Sequence, residues 1–175
     1  MRTDTPDTPF GDLFEKEEGI PLYVTNNKLF LGVDLGVNGA CVVLNSDGSL
    51  FEVFNTPDTR SGFIERFRKY ATSKCFCIAE KVASMPQNGV KASHTFGVIV
   101  ERTLYTLELC KIPFQEVTPQ TWMKTYMLKK EKGESNTLWK NRLKTKAQQL
   151  FPHEKITLAT ADAFLIAEYC RRHFQ

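Results

Sequence analysis

Three acids in this chain stand where an acid is costly. Residues 29–48 read LFLGVDLGVNGACVVLNSDG, an apolar strand pattern that ends in Asp34 before Gly36, Gly39 and a second apolar strand. Glu80 ends another apolar run, KCFCIAE at 74–80, and Asp162 opens the largely apolar segment ADAFLIAEY. An unpaired carboxylate in a dry interior costs several kcal/mol, so each should be neutralised, paired or bound to a metal. If the three converge they repel one another and need a cation. Oxygen-rich sites of this type suit Mg²⁺ or Mn²⁺. Two such ions ~4 Å apart clamp a phosphodiester, activate a water and stabilise the leaving oxygen. Gly36 and Gly39 add no side chain and would let a phosphate backbone approach. Taken alone, Asp162 reads first as a first-turn acid favoured by the helix dipole.

Convergence depends on the elements that carry these residues. In a strand, Phe30, Gly32 and Asp34 share one face, and in another Phe76, Ile78 and Glu80 do. If the two strands lie side by side and parallel, Asp34 and Glu80 become neighbours at their carboxyl ends, where ligand sites of α/β sheets commonly form. The pattern predicts strands at 28–35, 39–46 and 49–55 as an antiparallel meander, with Asn45-Ser46-Asp47-Gly48 as turn material. It then predicts a helix at 61–72, a strand at 74–80, a loop from Ser84, a helix at 93–110 and a strand at 113–118. Thr118-Pro119 supplies an N-cap and first-turn proline for a short helix to Met127. Helices at 136–151 and 159–172 complete the order β-β-β-α-β-α-β-α-α-α, which implies an α/β fold: a mixed sheet with helices on its faces.

Composition is globular, 42% hydrophobic and 25% charged, and 175 residues suit one domain. No apolar run approaches the ~20 residues of a transmembrane helix, and the acidic, polar N-terminus is unlike a signal peptide. These features predict a soluble, intracellular protein without a membrane partner. Five cysteines lack metal-ligand spacing, and Cys75 and Cys77 read as small core residues. Charge is lopsided under a net of +3: residues 1–20 hold six acids and two bases, whereas 124–146 hold eight bases and two acids. The second stretch is the footprint of a polyanion-binding surface or of a solvated lysine-rich face. Residues 1–27, with three prolines before position 22, read as an acidic, flexible extension ahead of a domain at 28–175.

GVDLGVNGA, IAEKVASMPQNGVKASHTFG, FQEVTPQTWMK and TADAFLIAEY, in that order, resemble the RuvC-type Holliday-junction resolvases, nearest the phage and chloroplast branch of that group. The likeness spans about 28–172. The first motif also resembles the Asp-x-Gly of actin-like ATPases and sugar kinases, but no second phosphate loop follows, so no nucleotide cofactor is expected. The resemblance implies a ribonuclease H-like mixed sheet, the meander extended by parallel strands, with helices on both faces. It further implies a homodimer that resolves four-way DNA junctions by Mg²⁺-dependent, symmetric nicking, with two ions per site and Mn²⁺ as a substitute. Asp34, Glu80 and Asp162 match its catalytic, metal-binding acids. Its usual fourth acid or histidine is missing: Thr157, Leu158, Ala159 and Thr160 stand there, leaving Thr160, Glu154 or His153 as auxiliaries. The same acids would serve a nuclease acting on flaps, other branched DNA or structured RNA, and the missing acid would also suit a catalytically weak junction-binding protein.

A junction cutter must hold phosphates on several arms, and such contacts position without reading sequence. Lys124, Lys129, Lys130, Lys132, Lys140, Arg142, Lys144 and Lys146 are the candidates, with Lys81 beside Glu80. In the loop after Glu80, Met85 and His94 could wedge or stack at an opened crossover, and Gln87, Asn88 and Lys91 could bond bases or phosphates. Phe96, Trp122 and Trp139 read as core.

Overall fold

The computed structural model describes residues 28–71, 74–82 and 89–175. The expected extension at 1–27 and the expected DNA contacts Met85, Gln87 and Asn88 lie outside the described residues.

Five strands form one sheet in the order β3-β2-β1-β4-β5: β1 (Leu29–Val33), β2 (Ala40–Asn45), β3 (Leu50–Asn55), β4 (Cys75–Glu80) and β5 (Phe114–Val117). β1–β2 and β2–β3 pair antiparallel, whereas β1–β4 and β4–β5 pair parallel. The meander is therefore extended by parallel strands. Every β1 residue is buried, as befits a central strand covered on both faces.

Alternation along β1 divides the core. Phe30 joins Val42, Leu44 and Ile78 under α3 (Pro119–Thr125), α4 (Asn136–Leu150) and α5 (Ala161–Phe174). Leu29, Leu31 and Val33 face the opposite layer, where α1 (Arg60–Arg68) and α2 (Val90–Leu109) bring Phe63, Phe67 and Leu107. α5 is buried without interruption from Ala161 to Glu168, because it lies directly on the sheet centre. Gly32 permits that approach. A Cβ there would stand 2.1 Å from the Ala167 nitrogen and 2.6 Å from the Ala163 carbonyl oxygen.

Two boundaries differ from the sequence pattern by three residues or more. α1 stops at Arg68 rather than 72, its chain closing in turns through Tyr70 and Ala71. α2 starts at Val90 rather than 93, which places Lys91 on the helix with His94 instead of in the loop. Its early turns are largely exposed, and Phe96 is only half-buried there, outside the core that Ile99, Val100 and Leu104 join. Trp122 and Trp139 are buried as expected. All five cysteines are buried free thiols, and burial pushes the Cys75 thiol up to about 11. No described helix is long and apolar enough to cross a membrane.

Candidate active site

The parallel register aligns Val33 with Ala79, so Asp34 and Glu80 follow one step later at adjacent strand ends. Both continue the parity of the sheet face covered by α5, whose first turn carries Asp162. The three acids act on one another: Asp162 and Glu80 both raise the pKa of Asp34, and Asp162 raises that of Glu80. Asp34 and Glu80 thus stand at neighbouring strand ends, as parity predicts, and Asp162 acts on both.

Each acid has a different environment. Asp34 begins a tight turn closed by its own N–H to the Ala40 carbonyl at 3.0 Å and by Gly39 N–H to the Gly36 carbonyl at 3.1 Å. A Cβ on Gly39 would lie 2.1 Å from the Asp34 carbonyl oxygen, so this glycine serves turn closure. A Cβ on Gly36 would meet only the Gly39 nitrogen, at 4.0 Å, in a cleft lined by Asp34, Asn38, Lys140, Leu158 and Ala159. Burial, then the charges of Asp162 and Glu80, push the Asp34 carboxyl up to about 7 against the pull of Lys140.

Glu80 is buried, and its Oε1 accepts a hydrogen bond from Trp122 Nε1 at 2.9 Å. Burial raises its pKa, partly offset by that indole. Asp162 is buried as well; Oδ2 pairs with Lys140 Nζ at 2.5 Å, and Oδ1 has no hydrogen-bond partner among the described residues. Its carboxylate is thus turned to the lysine and the site rather than to helix capping. Burial alone would lower the Lys140 pKa, but Asp162, Asp34 and Glu80 together hold it above the ordinary value. By contrast Glu168, the other buried acid of α5, is paired with Arg171 at 2.8 Å and Arg172 at 2.6 Å and is structural.

Sequence reasoning placed Trp122 only in the core and Lys140 only among phosphate contacts. The signals were present: a buried indole N–H needs an acceptor, and Lys140 flanks the core position Trp139 on the rim of α4. Thr160 is committed to Thr157, its Oγ1 accepting the Thr157 N–H at 3.0 Å while its own N–H donates to Thr157 Oγ1 at 3.2 Å. His153 is exposed in the turn after α4, and Glu154 offers its carbonyl to Gln148 at 3.0 Å. Among the described residues, no three His, Cys, Asp or Glu side chains are gathered closely enough to hold a metal ion as they stand.

Lys124, Lys129, Lys130 and Lys132 are exposed on α3 and the loop after it, with Lys130 donating to Asn136 Oδ1. Lys144 and Lys146 are half-exposed on α4, and Lys81 is exposed just after Glu80. Arg142 is engaged by Glu134 at 3.0 Å. Lys91 and His94 are exposed on α2; His94 lines a groove with Arg60, Ile64 and Tyr105, in the helical layer opposite α3–α5.

The sequence matches no protein-family model and no curated protein. The structure is similar to that of RuvC from Thermus thermophilus. RuvC solved in complex with a Holliday junction substrate superposes with a TM-score of 0.56 at 13% identity, over 83% of this chain and 96% of that one. A second Thermus thermophilus RuvC structure gives a TM-score of 0.54 at 14% identity, covering 81% and 92%. The fold is the ribonuclease H-like mixed α/β sheet.

Proposed function

We propose that this chain is a metal-dependent endonuclease that resolves four-way DNA junctions by paired, symmetric nicks. The observation that carries the reading is the convergence of Asp34, Glu80 and Asp162 at two adjacent strand ends and one helix start, with a buried Asp162 oxygen that has no hydrogen-bond partner among the described residues. A buried orphan oxygen, beside a carboxyl whose pKa has risen to about 7, is the chemistry of a donor set that a hard divalent cation would complete. The chemistry of these donors suits Mg²⁺ or Mn²⁺, which Asp34, Glu80 and Asp162 would hold by drawing closer together than they stand. Two such ions, when bound, supply charge for the scissile phosphate and activate the attacking water.

The chain's own residues do the positioning. Trp122 fixes Glu80 by hydrogen bond, and Lys140 holds Asp162 while keeping positive charge in the cleft where a phosphate would enter. Gly36 leaves room on the Asp34 side. The exposed lysines of 124–132, with Lys81, Lys144 and Lys146, would hold the arms through phosphates. RuvC, whose fold this chain shares, has been solved on a Holliday junction, which supports branched DNA as the substrate. Such a substrate has two symmetry-related strands to cut, so a two-fold homodimer is the matching assembly.

The test is cleavage of an end-labelled four-way junction in Mg²⁺, Mn²⁺ or EDTA, beside a flap and a linear duplex, with Asp34→Asn as control. Metal-dependent paired nicks confined to the junction, and lost in the variant, are expected. Preferred cutting of flaps would move the substrate to other branched DNA. Tight junction binding without cuts in either metal would make the chain a junction-holding protein, the reading favoured by Leu158 and Ala159 lining the cleft where a fourth acid is absent.

A further inference from the structure

Within the basic stretch 124–146, Arg142 and Glu134 are spent on each other. Arg142 projects from α4 over the ring of buried Trp139, 5.4 Å from its centroid. Its Nη1 donates to both carboxylate oxygens of Glu134 at 3.0 Å and lies 3.4 Å from the Lys129 carbonyl. The Glu134 side chain is only 5% exposed, although it belongs to a surface loop. Its Oε2 also accepts the Glu131 N–H at 3.0 Å, and the Glu131 carboxylate stands 3.8 Å from Arg142. Residues 129, 131 and 134 are thus tied to one guanidinium seated on the core.

The ends of this loop are pinned too. Leu128 N–H donates to the Met123 carbonyl at 3.0 Å, and Ser135 caps α4 by accepting the Leu138 N–H at 3.2 Å. What the loop presents outward is mainly cationic: Lys129, Lys130 and Lys132, with Glu131 and Met127 among them, border an open hollow of about 650 Å³ that Arg142 also lines. Three lysines in four residues repel one another, and each carries rotamer entropy that binding must remove. A loop already held in shape avoids part of that cost.

We propose that the Arg142–Glu134 pair is a clasp that holds the Lys129–Lys132 loop in register as a cradle for the phosphate backbone of one DNA arm. Arg142 is then a positioning residue, not a phosphate contact. This rests on the nuclease reading, because α4 carries both Arg142 and Lys140, so one helix links the cradle to the acids.

Charge-opposed variants test it: Arg142→Lys, Arg142→Gln and Glu134→Gln, each titrated in EDTA against a labelled four-way junction and a linear duplex over a range of salt. Lysine keeps the charge but loses the planar guanidinium that lies over the Trp139 ring. Glu134→Gln removes a negative charge and, by Coulomb attraction alone, should tighten binding. The clasp predicts that all three weaken junction binding by about fivefold or more, as the freed lysines must be ordered on binding. It also predicts a salt slope shallower by more than the ~0.9 of one lost phosphate contact. Amide exchange at Glu131 should quicken in each variant, while thermal unfolding identifies any variant that fails to fold and leaves the others to decide. Near-normal binding by Arg142→Lys together with tighter binding by Glu134→Gln would overturn the clasp alone. Wild-type protein that binds neither DNA would overturn both the clasp and the nuclease reading.

Discussion

Asp34→Asn should make the metal-free protein more stable above neutral pH while abolishing cleavage. The Asp34 carboxyl sits at about 7 in the folded chain against an ordinary 3.8, pushed up by burial first and by Asp162 and Glu80 next. Between those two values the folded chain holds a proton that the unfolded chain has lost. The stability contributed by this group is therefore complete below about 3.8 and is lost as pH rises through about 7. A gap of about 3 in pKa corresponds to about 4 kcal/mol. Asp34 lines an open cleft, so water screens part of this, and about 2–4 kcal/mol is the working range. Asparagine has the shape of the protonated acid and no charge, so it avoids the loss. Urea unfolding of both proteins in EDTA, at about pH 5 and about pH 8, measures the difference directly. The variant should already lead at the lower pH, by roughly a third to a half of its lead at the higher one. Adding Mg²⁺ at about 100 times its dissociation constant should then stabilise the wild type by about 2.7 kcal/mol and the variant far less. A variant no more stable than wild type at the higher pH would refute the argument that burial and neighbouring charge hold Asp34 up.

Gly32→Ala should cost roughly 3 kcal/mol or more, because its Cβ would meet backbone of α5 at 2.1 Å and displace the helix that carries Asp162; both the melting temperature and cleavage should fall. Trp122→Phe removes the donor to Glu80 at 2.9 Å, costing about 1–3 kcal/mol; since the indole lowers the Glu80 pKa, cleavage in this variant should require a higher pH, read from a pH–rate profile. Ala159→Asp adds a fourth carboxylate to the cleft that Asp34 and Lys140 line, and cleavage should reach half its maximum at a lower Mg²⁺ concentration than in wild type. Deleting the acidic residues 1–27, whose charge opposes that of 124–146, should tighten DNA binding at low salt and leave it unchanged at high salt, measured by anisotropy.

Much of the architecture was legible in the chain because it is written in local periods. Apolar runs bounded by turn residues marked all five strands, and parity assigned Asp34 and Glu80 to one face. The cost of burying an acid marked the same two residues and Asp162 as carboxyls that need a neutralising partner. Helix boundaries were less legible. Val90 to Ala92 continue α2 past the point where an apolar stripe could reveal it, since those turns face solvent.

What the sequence could not determine was how each acid is neutralised. Lys140 reads as one more cation in a basic stretch, and only the packing of α4 beside α5 brings it within 2.5 Å of Asp162. Arg142, two residues on, has the same charge but turns toward Trp139 and Glu134. Trp122 reads as apolar bulk until β4 brings a carboxylate to its N–H. Residue type and spacing fix what a side chain is able to do, because those are covalent properties. Which partner it meets depends on contacts between residues far apart in the chain, such as the 42 positions that separate Glu80 from Trp122. That choice belongs to the tertiary fold.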